Sequence, residues 1–138
     1  MDASAATNQS VGSRLGFTQG DLVQEFGYDD DVDFDLRDSI EDFLDTELLD
    51  EDDQEVVDAA LLWWRSDDGD LVDGLVDVLA TLDEGGVVWL LTPKNGRDGY
   101  VPPVEIQEAA PLAGLHMTTT AALSADWAAH RLVMKQGK

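Results

Sequence analysis

Residues 56–93 read VVDAALLWWRSDDGDLVDGLVDVLATLDEGGVVWLLTP, and this stretch decides the fold. From Val56 to Trp64 nearly every position after Asp58 is apolar, as in a strand buried on both faces within a parallel sheet. The alanines and leucines would also suit a helix, so the following segment arbitrates. Leu71, Leu75, Val78, Leu79 and Leu82 share one helical face. Asp67 to Asp70 supply acids suited to a helix N-terminus, and Gly85-Gly86 are expected to stop that helix. Val87 to Thr92 then reads as a second buried strand, ended by Pro93. Strand, helix, strand predicts a right-handed parallel unit with the two strands adjacent at the centre of the sheet.

Outward from this unit the pattern is less regular. On the N-terminal side, Leu36, Ile40, Phe43 and Leu44 mark one face of a helix, with Asp33 or Asp35 as N-cap. Leu22 to Gly27 is a weak strand-or-helix candidate, and residues 1–14 are small, polar and aperiodic, read as a disordered lead-in. On the C-terminal side, Asn95-Gly96 and Asp98-Gly99 are turn dipeptides, so Lys94 to Pro102 is a loop. Pro103 suits the first position of a helix through Leu112, with Gly114 after it. Leu115 to Leu123 and Ala128 to Met134 read as a closing antiparallel strand pair. The whole predicts one α/β domain over residues 15–138: a three-layer, Rossmann-like, mostly parallel sheet with an antiparallel C-terminal strand pair.

Composition narrows the partners. The 138 residues carry 30 acids against 8 bases, a formal charge of −22. Between Leu15 and Glu84 there are 25 acids and only Arg37 and Arg65 to offset them. Such a chain is not expected to bind nucleic acid or an anionic membrane surface. Repulsion among the carboxylates predicts raised pKa values for several of them. Without cysteine, disulfides, thiolate metal sites and cysteine nucleophiles are excluded. No targeting peptide and no apolar run of bilayer length is visible, and a cytoplasmic protein is the expectation.

The segments LLDEDDQEVVDAALLWWRSDDGDLVDGLVDVLATLDEGGVVWLLTPKNG, VEIQEAAPLAGL and DWAAHRLVMKQGK resemble the actinobacterial domain of unknown function family 3052. The likeness runs from about Leu15 to Lys138 and is densest at Gly86 to Lys94. More distantly, a strand, an acid-started helix, L-x-x-G-G-x-x-W and P-K are similar to the C-terminal half of Rossmann-like methyltransferases. That resemblance implies a helix, a strand and a final antiparallel hairpin after a cofactor site. The departure lies in the site itself. The turn after the first strand keeps one glycine, Gly27, beside Asp29, Asp30 and Asp31, and no second strand with an acidic ribose ligand is recognisable. No cofactor is therefore expected.

Other constellations are weak. Asp29-x-Asp31-x-Asp33-x-Asp35 fails as a calcium loop, because Phe34 and Ile40 stand where glycine and a bidentate glutamate are required. His116 and His130 fall on different strands without a third ligand. Lys94, leaving a strand's carboxyl end, is a candidate anion contact. Trp63, Trp64, Trp89 and Trp127 read as packing residues, with Trp63 and Trp64 on opposite faces. No catalytic set and no metal set is expected. The acids Asp29, Asp30, Asp31, Asp50, Glu51, Asp52 and Asp53 form a candidate interaction face for a basic protein partner. The function expected is a non-catalytic protein-interaction or regulatory module. Two alternatives stand beside it: a small methyltransferase-like or nucleotide-binding enzyme, and an acidic nucleic-acid mimic.

Overall fold

The computed structural model describes residues 15–121 and 124–134. The expected lead-in over residues 1–14 and the end of the expected Leu115–Leu123 strand lie outside the described residues. Eight elements follow in order: β1 (Val23–Phe26), α1 (Phe34–Leu44), β2 (Val57–Trp63), α2 (Leu71–Leu79), β3 (Leu82–Pro93), α3 (Pro103–Leu112), β4 (Leu115–Ala121) and β5 (Trp127–Met134). They build one five-stranded sheet of order β1-β2-β3-β5-β4. β1, β2 and β3 are parallel; β5 runs antiparallel between β3 and β4. The weak N-terminal candidate is thus a strand, and the expected adjacency of β2 and β3 holds.

Both faces of the sheet are covered, which explains the unbroken apolar run of β2. Ala59, Leu61 and Trp63 pack with Trp89, Leu91 and Trp127 under Leu36, Ile40 and Leu44 of α1. Ala60 and Leu62 pack with Val88 and Leu90 under Leu71, Leu75 and Val78 of α2 and Ile106 and Ala110 of α3. The helices are capped where the sequence suggests. Asp33 accepts from Leu36 N and Asp70 from Val72 N, each at 2.9 Å. Such caps stabilise by about 1 kcal/mol each.

One boundary differs from expectation. α2 ends at Leu79, so Leu82, expected on its apolar face, begins β3 instead, and Gly85-Gly86 lie inside β3 rather than terminating the helix. Val57 pairs with Leu82 but Ala59 pairs with Val87, so five residues of β3 advance against two of β2. This bulge carries the glycines. A Cβ on Gly86 would stand 2.5 Å from Leu82 Cδ1 and 2.9 Å from the Asp58 carbonyl oxygen. Glycine is needed there for close approach, and helix termination has no part in it.

Candidate functional site

The path of the chain beside β1 sets the position of the site. After α1 the chain reaches Leu49, which bridges in parallel to Gln24 on the side of β1 away from β2. It then returns to form β2 on the inner side. The outer place beside β1, where no strand is recognisable from sequence, is therefore occupied by a single bridging residue. The loops leaving β1 and β2 run to helices on opposite faces, α1 and α2. Such a reversal opens a crevice at the strand carboxyl ends. Here it is a cleft of about 330 Å³ lined by Phe26, Gly27, Tyr28, Asp29, Glu51, Leu62, Trp63, Trp64, Arg65, Asp68, Gly74 and Asp77.

The two acidic segments meet at this edge. Gly27 N donates to Glu51 Oε1 at 3.1 Å, tying the loop after β1 to the loop after Leu49. Buried Gln24 holds the second loop from below. Its amide donates to the carbonyls of Asp50 and Asp53 at 2.9 Å, while the Thr81 hydroxyl donates to Gln24 Oε1. Several of these acids also staple their own loops. Asp50 accepts from Asp52 N, Asp53 from Asp50 N, and Asp29 from Asp30 N. All seven acids except the half-buried Asp53 are exposed. Four of the seven acids, Asp29, Asp50, Glu51 and Asp53, thus accept from backbone N–H groups.

Arg65 is the hub of the cleft floor. Its guanidinium donates to Gly27 O at 2.8 Å and Trp63 O at 3.2 Å, and it pairs with Asp31 and Asp68. It lies 5.3 Å from the Trp127 ring centre. Burial works against its charge, yet the hydrogen bonds and charges of Asp31 and Asp68 prevail and its pKa is raised. The hydrogen bond from Arg65 holds the Asp31 carboxyl below the usual carboxylate range. Asp31 therefore moves down, against the rise expected from repulsion, because it has a cation in contact.

A second arginine lies behind this loop. Arg37 on α1 reaches Glu25 of β1 with Nε–Oε2 at 2.6 Å and Nη2–Oε1 at 2.9 Å. Trp63 Nε1 donates to the same Glu25 Oε2 at 2.8 Å. The hydrogen bond to Glu25 raises the Arg37 pKa. Neither Glu25 nor its pairing with Arg37 stands out in the sequence. The available signal was one acid at an inward position of a short strand.

Lys94 follows β3 and its backbone N–H donates to Asp126 O at 3.0 Å. It sits at the same end of the sheet as the cleft but does not line it. His116 is exposed on β4, whereas His130 is buried on β5 with Thr120 Oγ1 at 3.1 Å and Thr92 Oγ1 at 3.4 Å. Burial lowers the His130 pKa. The two histidines do not converge. Among the described residues no group of three or more acids and histidines is gathered as for a metal ion. None of the described helices is long and apolar enough to cross a membrane. Trp63 and Trp64 point to opposite faces, as alternation predicts: Trp63 is in the α1-side core and Trp64 packs against the α2-side core.

Comparison with known proteins fits this architecture. Uncharacterised proteins of Mycobacterium tuberculosis and Mycobacterium bovis are each 50% identical over 125 residues, covering 91% of this chain and 78% of the relative. Among solved structures, an Aquifex aeolicus SAM-dependent methyltransferase aligns with a TM-score of 0.58 at 12% identity, covering 97% of this chain and 94% of that one. A TehB-like SAM-dependent methyltransferase from Corynebacterium glutamicum aligns at 0.53 with 16% identity, covering 96% and 93%. At such identities the likeness is one of fold: the chain has the mixed, Rossmann-like α/β sheet of these enzymes. The family described as "Protein of unknown function (DUF3052)" matches residues 12–136, and the chain belongs to it.

Proposed function

We propose that this protein is a non-catalytic, cytoplasmic interaction module, residues 15–138 forming one Rossmann-like unit whose acidic carboxyl-end face docks a basic protein partner. The observation that carries the reading is the internal satisfaction of the Gly27 turn. A methyltransferase-like cofactor brings an amino-acid carboxylate that needs free donors at such a turn. Here Gly27 N is already bonded to Glu51, and Gly27 O to Arg65. The cleft lining holds Asp29, Glu51, Asp68 and Asp77 against Arg65 alone, a local excess of three negative charges. Arg65 is itself engaged by Asp31 and Asp68. S-adenosylmethionine would find the N–H of this turn already taken by Glu51, so its carboxylate lacks the donor that such a turn supplies.

The same features suit a cationic partner. Carboxylates fixed by backbone hydrogen bonds lose little freedom on binding, and a charged rim accelerates encounter with an oppositely charged surface. Two measurements test the reading. Calorimetry with S-adenosylmethionine should give no binding tighter than the millimolar range; a micromolar dissociation constant overturns the non-catalytic assignment. Affinity capture by the immobilised protein, compared with a variant carrying Asp30→Asn, Asp50→Asn and Asp52→Asn, should recover a basic protein that is released by salt and missed by the variant. Equal recovery by both baits would remove the acidic face from the function.

A further inference from the structure

Beyond general acidity, the cleft has the composition of a receptor for one flat cation. We propose that it receives an arginine side chain of the basic partner, its guanidinium lying beside the Trp64 ring among the carboxylates of Asp29, Glu51 and Asp77. This inference rests on the docking role proposed above and specifies its anchor.

Gly74 lies within α2. A glycine in the middle of α2 weakens the helix relative to alanine, and it has a local reason. A Cβ there would stand 2.6 Å from Trp64 Cζ3 and 3.0 Å from Cη2. The missing side chain lets the half-exposed indole lie against the helix and form a wall of the cleft. Tyr28, on the β1 side, is 49% exposed. It is nonetheless held in place, with its ring edge-on to Phe34 at 6.0 Å and the Arg37 guanidinium 4.7 Å from its centre. Aromatic surface left open to solvent at a strand's carboxyl end, and positioned in advance, is a feature of binding sites more than of cores.

The charges then select the occupant. Arg65 and Arg37 are both matched by carboxylates of their own, Asp31 with Asp68 and Glu25 respectively. The remaining acids of the lining therefore leave the cleft negative. They do not converge as metal ligands, so they set up a field spread over the cleft and lack a chelating point. A diffuse organic cation matches a spread field and an aromatic wall. Guanidinium does so better than ammonium, because it is planar, weakly hydrated and stacks on indole. A cleft of about 330 Å³ admits a side chain of that size with its aliphatic stem.

The test uses the full chain and two probes, a hexa-arginine peptide and a hexa-lysine peptide, titrated at low salt. Three variants are compared: Asp29→Asn with Asp77→Asn in the cleft, Asp38→Asn with Asp42→Asn on the exposed face of α1, and Gly74→Ala, which displaces the indole without changing charge. Hexa-arginine should bind more tightly than hexa-lysine. The cleft pair should weaken it by about tenfold, as for close charge pairs at an interface, and the α1 pair by no more than about twofold, as for exposed charges. Gly74→Ala should reduce the preference for arginine over lysine while leaving hexa-lysine affinity unchanged. Equal weakening by the two charge pairs, or an arginine preference untouched by Gly74→Ala, overturns the cleft assignment and leaves the acidic-face reading standing. No binding of either peptide by the wild-type chain removes both.

Discussion

Replacing Arg37 by methionine should be among the most damaging single changes outside the aliphatic core, and the structure says how damaging. Glu25 is only 6% exposed and Arg37 20%. With the guanidinium gone, Glu25 keeps one donor, the Trp63 indole N–H at 2.8 Å. Leaving a buried charge unpaired costs about 3–5 kcal/mol, and the partial exposure of Arg37 points to the lower end. About 3 kcal/mol corresponds to roughly 12 °C of melting temperature in a domain of this size. The reverse change, Glu25→Gln, should cost less, about 1 kcal/mol. Glutamine still accepts from the indole, and Arg37 can extend to water while staying over the Tyr28 ring. The double variant buries no unpaired charge and should therefore be more stable than Arg37→Met alone. Urea unfolding of the wild type and three variants gives the complete cycle. If the double variant is no more stable than Arg37→Met, or if Glu25→Gln is the costlier single change, the pair is not acting as a buried ion pair and the reasoning fails.

Gly86→Ala should destabilise by about 1–3 kcal/mol through crowding at the bulge, whereas Gly85→Ala, with open space around its Cβ, should be neutral or gain a few tenths of a kcal/mol; similar urea midpoints for the two would contradict the bulge geometry. Acid should weaken the fold through His130 and Asp31. Both have folded-state pKa values below their unfolded ones, so the native state binds fewer protons and stability rises with pH through each window. For His130 this loss begins as pH falls below about 6.5, and His130→Asn should flatten the stability profile there; an unchanged slope would discount the buried imidazole. Hydrogen exchange should find the amides of β2 and the Val87–Thr92 part of β3 the slowest, and rapid exchange at Ala60–Trp63 would deny β2 its central place.

Legibility in the sequence followed the range of the interactions involved. α1, α2 and α3 were readable because caps, periodic leucines and a proline start are local signals. β2 and the core of β3 were readable because burial on both faces leaves an unbroken apolar run. The start of β3 was not, since Asp83-Glu84-Gly85-Gly86 looks like a helix exit until β2 is known to lie alongside and force the bulge. Leu49 was invisible as a sheet member because one bridging residue has no periodicity. At the site, the acids of the two loops were legible as composition, but their meeting through Gly27 and Glu51 spans 24 residues of chain. The same separation problem hid Arg65, whose partners Asp31 and Gly27 precede it by 34 and 38 positions.

The position of β5 has a consequence for the order in which the molecule can be completed as it is synthesised. β5 follows every other described element in the chain, yet it lies between β3 and β4. A nascent chain that has emerged only as far as β4 can align β1, β2 and β3, but the free edge of β3 stays open and β4 has no strand to join. Arrival of Trp127–Met134 closes both gaps at once. It also brings the Trp127 ring to within 4.9 Å of the Trp63 ring centre and beside Arg65. The floor of the cleft is therefore finished by a late segment, and a ribosome stalled before residue 127 would hold a chain with an unpaired, strongly apolar β3 edge exposed to neighbouring proteins.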